Sequence, residues 1–498
     1  MKRTLKIPWA IFRLLYLMVV LGGLAACDRG RRAETIDAPI CAIEAARVAA
    51  ESDPLFQEEE CWVRSDWWNL FNDAQLTEFI RLAYERNPTL QTAYAKILMA
   101  AANADKARSS LLPYIFLGGD FSRQKLSKTG VIPFGETKVD VPLVPGFGIP
   151  VYFSLYESQL NLTYEFDLWG KNRNTLRAAI GEMRANVADL AFAQLQLGIA
   201  IAEIYFHLQI DYKRQAIAKE LLRNRSQYAE LVAKRKVEGL DPAQLLNTRK
   251  VNVASSTQGL LQIQGDIAVS EYQLKTYLAG DFEEDISDTG IIECPLPKVP
   301  LPKELPLHLL SHRPDIRAKL WLIESAGRQI EVAKAGFYPD FNISAFFGFQ
   351  TIHFHELFRW ASSYFNVNPA FTLPIFDAGR LLANLRGSEV NYDLAIFDYN
   401  NLVLNAAKEV LDGIVVLRNN RDQLSAYEQQ LKFNRDNLKL VSLRVANNLS
   451  STLDYLTSEE SALLAQDQEI VALGNTIQAI LELIKALGGG YDARCWNE

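Results

Sequence analysis

The sequence predicts a mainly α-helical protein built from two tandem copies of one strand-pair and helix-hairpin unit. Its strands suit a membrane β-barrel that a single chain cannot close. Three observations predict this. The chain repeats its own punctuation at fixed offsets, four short segments alternate apolar and polar residues, and two stretches of about seventy residues contain no proline.

The repeat comes first, because an internal period decides how everything else is read. Asn87-Pro88 and Pro113 recur as Arg313-Pro314 and Pro339, each 226 residues later. Further along, Gly170, Leu176-Arg177, Arg235, Leu240, Leu278 and Gly280 recur 209 residues later as Gly379, Leu385-Arg386, Arg444, Leu449, Leu487 and Gly489. The copies span residues 67–281 and 307–491. Residues 282–306 join them, with Pro295, Pro297, Pro300, Pro302 and Pro306 marking an extended linker. A tail, 492–498, follows.

Within each unit the order is short helix, strand, loop, strand, long helix, break, return helix. Helices are expected near 88–112, 170–239 and 242–279 in the first unit, and near 314–338, 379–447 and 452–487 in the second. The 170–239 helix would be roughly 100 Å long at 1.5 Å per residue. Gly239-Leu240-Asp241-Pro242 signals its reversal, with Asp241 as N-cap and Pro242 opening the return helix. In the second unit Asn447-Asn448 and Ser450-Ser451 break and recap the chain. Laid end to end, each unit's return helix and short helix approach the long helix in length.

Strands are expected near 114–124, 154–167, 340–350 and 364–376. Leu160, Leu162, Tyr164 and Phe166 alternate with Asn161, Thr163 and Glu165. Phe341, Ile343, Ala345, Phe347 and Phe349 alternate with Asn342, Ser344 and Gly348. Such a period of two marks one apolar and one polar face. The first strand is the weakest, interrupted by Gly118-Gly119. Four strands do not close a membrane barrel, and an open sheet in lipid leaves backbone groups unpaired at several kcal/mol each, by rough estimate. Neighbouring copies must therefore supply the rest; strand count alone leaves dimer and trimer open.

The N-terminus carries Lys2, Arg3 and Lys6, an apolar run from Leu14 to Leu24, and then Ala25-Ala26-Cys27. This reads as a signal peptide, 1–26, ending in a bacterial lipobox. Cys27 is the expected lipidation site, its sulfur taking a diacylglyceryl group and its freed amine an acyl (palmitate-type) chain, and 27–66 the lipidated N-terminal segment. Several acyl chains anchor stably at roughly 0.8 kcal/mol per buried CH2. Asp28 is the residue that in some bacteria retains a lipoprotein at the inner membrane. Past Cys27 no run of eighteen consecutive apolar residues appears, so no transmembrane helix is expected.

Other classes are poorly supported. A net charge of −7 gives no basic footprint for nucleic acid. His353-Phe354-His355 and the His308/His312 pair lack the partner residues of a metal site, and no phosphate-cradling glycine loop appears. The expectation is no enzyme, no metal and no cofactor. Cys41, Cys61, Cys294 and Cys495 allow three pairings in an oxidising compartment; 294–495 is favoured because each of these two follows a repeat unit.

Residues 62–491 resemble the TolC-type outer-membrane factors, in the lipidated branch that serves resistance-nodulation-division pumps. The resemblance rests on Trp67-Trp68-Asn69-Leu70-Phe71 with Asp73 and Leu76, Asn87-Pro88, Phe166-Asp167-Leu168-Trp169-Gly170, and Arg313-Pro314-Asp315-Ile316. Phe337-Tyr338-Pro339, Leu373-Pro374-Ile375-Phe376-Asp377-Ala378-Gly379 and Ala486-Leu487-Gly488-Gly489-Gly490-Tyr491 complete it. It implies a homotrimer with a 12-stranded β-barrel in the outer membrane, continued by a 12-helix α-barrel in the periplasm. It also implies docking to a periplasmic adaptor (membrane fusion) protein and an inner-membrane RND-type transporter, as the passive exit duct for small molecules. A type I secretion duct and a lipid-anchored periplasmic coiled-coil scaffold are the alternatives. A periplasmic gate is expected at the reversals, with Asp454, Leu453, Tyr455 and Asp241 as candidates. The resemblance gives Asp454 the role of a carboxylate ring, whose like charges would raise its pKa; a second family carboxylate one turn on is replaced by Thr457. A solvated helix-start carboxylate is the equal alternative. Arg235 and Arg444 either face solvent, the favoured reading, or latch the tip by ion pairs.

Overall fold

The computed structural model describes residues 63–125, 152–280 and 312–491, with Glu34, Phe56–Gln57, 296–297 and Val299–Pro300. A short 3-10 segment, Trp67–Phe71, precedes α1 (Ala74–Arg86), α2 (Pro88–Ser109), β1 (Tyr114–Lys125), β2 (Tyr152–Phe166), α3 (Lys171–Val237) and α4 (Ala243–Leu278). The second unit supplies α5 (Pro314–Ala335), β3 (Asp340–Thr351), β4 (Ser363–Thr372), α6 (Arg380–Ala446) and α7 (Thr452–Ala486). Both long helices have 67 residues, roughly 100 Å at 1.5 Å per residue.

The four strands make one antiparallel sheet in the order β1-β2-β3-β4, so the two units pair through β2 and β3, and β1 and β4 are its edges. The register fixes the faces. Leu117 pairs with Leu160, Leu160 with Phe347, and Phe347 with Phe365. Ile115, Leu162, Ala345 and Val367 continue that face, one row toward the helices. The opposite face carries Asp120, Glu157, Gln159, Asn161, Ser344, Asn366 and Asn368, with Phe116 and Phe346 among its few apolar members.

Aromatic rings gather at both ends of the apolar face. At the distal end Phe121 packs on Tyr156, while Phe354, Phe358 and Trp360 from the β3–β4 connection fold onto Tyr156, Phe349 and Phe347. At the helix end Tyr164 meets Phe166, and Phe341 meets Phe371. Phe341 and Phe349 stand eight residues apart, about 26 Å along a strand. That matches the height of an apolar band between interfacial aromatic girdles.

Two details depart from expectation. β1 runs unbroken through Gly118 and Gly119, which pair with Gln159 and Ser158: partner strand β2 carries the ladder across a stretch of weak propensity. β4 stops at Thr372, four residues short of the expected end, and Ile375 and Phe376 stand almost fully exposed.

The duplication is visible in the helix joints. Asn87 caps α2 and its Nδ2 donates to the Tyr277 carbonyl in the last turn of α4, at 2.9 Å. Its counterpart Arg313 donates from Nη1 to the Ala486 carbonyl in the last turn of α7, at 3.1 Å. Both donors precede a helix-opening proline and both acceptors are equivalent positions, so each return helix is seated end-on against the short helix of its own unit. Arg313 is buried and also binds Asp315 (2.7 Å) and Glu409 (2.6 Å).

In the helical half α3 lies between α4 and α7, and α6 packs on the far side of α7. The main core sits mid-length, where α1 and the 3-10 segment lean on α3. Trp67, Leu76, Phe79, Ile80 and Tyr205 are fully buried there. Asp73 starts α1 by accepting the Gln75 and Leu76 N–H groups. One eighteen-residue window of α3 is apolar enough, by hydropathy, to cross a membrane, although no eighteen consecutive residues are apolar. Half of it is buried against other helices, which is the signature of this core.

Candidate functional site at the helical tip

The two helix reversals lie at the end of the hairpins remote from the sheet. α3 ends on Lys234, Arg235 and Lys236, cations that suit the negative end of the helix dipole. The Leu240 N–H bonds back to the Arg235 carbonyl (2.9 Å) and the Gly239 N–H to the Lys236 carbonyl (3.0 Å). Gly239 holds φ +74°, open space lying where a Cβ would be, so glycine meets the left-handed requirement without strain. The second reversal repeats the pattern: Leu449 N–H to the Arg444 carbonyl at 2.7 Å, Asn448 N–H to the Val445 carbonyl at 3.0 Å, with Asn448 at φ +57°.

The side chains then diverge. The sequence pattern makes Asp241 the cap of α4, but Pro242 occupies the N-cap position and no side-chain cap forms. Asp241 instead takes a bidentate pair from Arg235, Nε to Oδ2 at 2.7 Å and Nη2 to Oδ1 at 3.2 Å. A guanidinium fork matches both carboxylate oxygens, whereas the cap would use one. Arg235 thus pairs across its own reversal while its side chain stays 39% exposed. The pair holds the Asp241 carboxyl below its ordinary range. The second unit has Ser450 where the first has Asp241, and Arg444 makes no ion pair among the described residues.

Asp454 closes a capping box. Its N–H donates to Ser451 Oγ at 3.2 Å, and the Ser451 N–H donates to Asp454 Oδ2 at 2.9 Å. These hydrogen bonds, led by the Ser451 N–H, lower the Asp454 pKa within one chain, opposite in direction to the rise expected of a carboxylate ring. Asp454 is exposed, while Leu453 and Tyr455 are half-buried against a small core of Tyr228, Val232, Leu246 and Leu456.

Above that core lies a polar lock that the sequence pattern does not reveal. Arg225 of α3 donates from Nε to Glu460 of α7 at 2.8 Å and from Nη1 to Ser256 Oγ of α4 at 2.8 Å. Asn224 donates to the Leu456 carbonyl (3.0 Å) and to Glu459 (2.7 Å), and the Tyr455 hydroxyl donates to Glu459 at 3.2 Å. Arg249 stacks its guanidinium 3.8 Å from the Tyr228 ring centre. Arg225 and Glu460 are largely buried, so three helices are clamped by charges screened from solvent. Arg225 sits in an unremarkable run of charged helix residues, and only the packing of α4 and α7 on α3 shows its role.

The arrangement holds helices together. Among the described residues no three His, Cys, Asp or Glu side chains group as metal ligands. His353 and His355 sit 5.8 Å apart, ring to ring, in an exposed loop. Cys27, Cys41, Cys61, Cys294, Cys495 and His308 lie outside the described residues.

Comparison with known proteins places this geometry. The family model described as outer membrane efflux protein matches residues 79–280 and 305–489. The multidrug resistance outer membrane protein MdtP of Escherichia coli K12 is 29% identical over 445 residues, covering 89% of this chain and 90% of that protein. The crystal structure of the outer membrane protein VceC from Vibrio cholerae matches with a TM-score of 0.72 at 29% identity, over 86% of this chain and 100% of that one. The CmeC outer membrane channel of Campylobacter jejuni shares the fold at a TM-score of 0.77, with 24% identity over 88% and 90% of the two chains.

Proposed function

The chain belongs to the outer membrane efflux protein family, and on that premise we propose that three copies form a continuous exit duct for small molecules expelled by an inner-membrane pump. One observation carries the reading: a four-stranded sheet with two open edges and one apolar face is fused directly to helix hairpins roughly 100 Å long. In lipid each open edge strand leaves a row of unpaired N–H and C=O groups. Pairing β1 of one copy with β4 of the next removes every edge, and three copies give a barrel of twelve strands. The apolar face turns to lipid and the polar face lines the lumen.

The helices close in the same way. α4 and α6 are the two edges of the helical layer, and both expose apolar residues: Val251, Leu261 and Tyr272 on α4, Phe397, Val415 and Phe433 on α6. Joined edge to edge, they make a twelve-helix tunnel. α1 and the 3-10 segment lie outside that tunnel, because three copies of Trp67, Phe71 and α1 inside it would plug the path. Cys27 is the lipid anchor and the outer membrane the location. A periplasmic adaptor (membrane fusion) protein meets the tip, and an RND-type transporter drives the cargo. The protein itself performs no covalent chemistry. At rest the tip closes, with Asp454 facing the constriction and Leu453, Tyr455 and the Arg235–Asp241 pair holding the reversals.

Reconstitution into planar bilayers tests this. Discrete, uniform conductance steps from purified protein are expected; a protein that is purified intact yet never conducts would refute the duct.

A further inference from the structure

A cavity lies halfway along the tunnel wall, far from the tip. Its volume is about 570 Å³, and it opens between α4 and α7 over the middle of α3. That size suits a drug-sized ligand. Glu203, Asp211 and Asp266 line it with His207 and Arg214, so acids outnumber bases, and Ile210 and Val471 add apolar surface.

Asp211 makes the cavity more than a gap between helices. It is 2% exposed, and its Oδ2 accepts no aligned hydrogen bond. His207 Nδ1 lies 3.1 Å from that oxygen, close enough that Asp211 raises the His207 pKa, and Arg214 lies 3.6 Å from Oδ1. Arg214 is committed elsewhere, donating to Asp467 at 3.0 Å. A buried carboxylate oxygen without a donor is costly. A cation seated beside it would reduce that cost, and Ile210 and Val471 would take its apolar body.

The position follows from helix geometry. Tyr205 faces α1, its hydroxyl 3.0 Å from Gln75 and its ring against Phe79. His207 is two residues on, about 200° round the helix, and so on the opposite side of the wall. With α1 outside, the cavity faces the lumen.

We propose that this cavity is a cargo subsite for monovalent organic cations with apolar bodies, one in each chain of the duct, anchored on Asp211. The inference rests on the duct reading for its lumenal placement, while the binding itself does not.

Tetraphenylphosphonium is the probe, and triphenylphosphine oxide its neutral counterpart, used on the full-length protein purified in detergent. Calorimetry should show saturable binding of the phosphonium, one per chain, and none of the oxide at equal concentration. Asp211→Asn should weaken binding by about tenfold or more, as loss of a desolvated ion contact does. Glu203→Gln, at the cavity mouth, should weaken it less. Phosphonium should also reduce bilayer current through the wild type, and Asp211→Asn should need about tenfold more phosphonium for the same fractional block. Equal binding by wild type and Asp211→Asn, or equal binding of phosphonium and oxide, overturns the subsite. If Asp211→Asn fails to assemble, the charge comparison and Glu203→Gln decide alone. A wild type that conducts but neither binds nor is blocked refutes the subsite and leaves the duct standing. A wild type that binds but never conducts refutes the duct.

Discussion

Residues at the tip divide between two jobs that one motif conceals. Asp454 is both a helix cap and the exposed carboxylate nearest the second reversal. Asp454→Ala should remove cation selectivity from single-channel recordings and weaken the helix start. Ser451→Ala, at the N-cap itself, should cost about 1 kcal/mol and leave selectivity intact. If both variants lose selectivity equally, the charge is not the agent. The cap also sets the pH response. A carboxyl whose folded pKa is lowered contributes stability above its ordinary value of 3.8 and loses it only as pH falls through the lower folded value. Reversal potentials should therefore hold from pH 7 to pH 5; loss of cation preference by pH 5 would mean that repulsion among the three copies outweighs the cap. Asp454 is legible as a helix-start carboxylate because Ser450-Ser451 recap the chain just before it. Asp241 is not, because Arg235, six residues back across the reversal, competes for the same carboxylate.

At the scale of elements, the polar lock and the sheet faces make separable predictions. Arg225 spans three helices, and Arg225→Ala leaves Glu460 buried without its main partner. Each charged hydrogen bond removed is worth about 2 kcal/mol. The variant should raise the resting conductance in bilayers while still assembling; an unchanged closed level would show that the lock is structural only. This lock is invisible in the sequence because it depends on three helices far apart in the chain. The sheet is legible, since alternation alone sorts Leu160 and Phe347 from Gln159 and Gly348. Its weak member, β1, is stronger than its residues suggest because a partner strand overrides two glycines. Val367→Arg should disrupt folding into bilayers by about 2–4 kcal/mol, whereas Asn366→Arg, one residue away on the other face, should fold normally and shift ion selectivity. Equal tolerance of both would contradict the assigned faces.

The whole molecule follows from duplication. The joints Asn87–Tyr277 and Arg313–Ala486 occupy equivalent places in both units and leave each unit a complete strand pair with a complete hairpin. Repeat, proline spacing and helix length are all readable in the amino-acid sequence, because they depend on local chemistry and periodicity. The mid-wall cavity is not, because it arises where α4 and α7 part over α3. With the sheet in lipid as proposed, membrane retention does not depend on the proposed anchor at Cys27: Cys27→Ser should stay in the membrane fraction after salt washing, and its release as soluble protein would count against the barrel. The central claim is that open edges on one chain are sealed by identical neighbours. Native mass spectrometry of the purified protein released from mild detergent measures this most directly. Three chains per particle is the expected mass; a single chain that remains folded and soluble without detergent would contradict it.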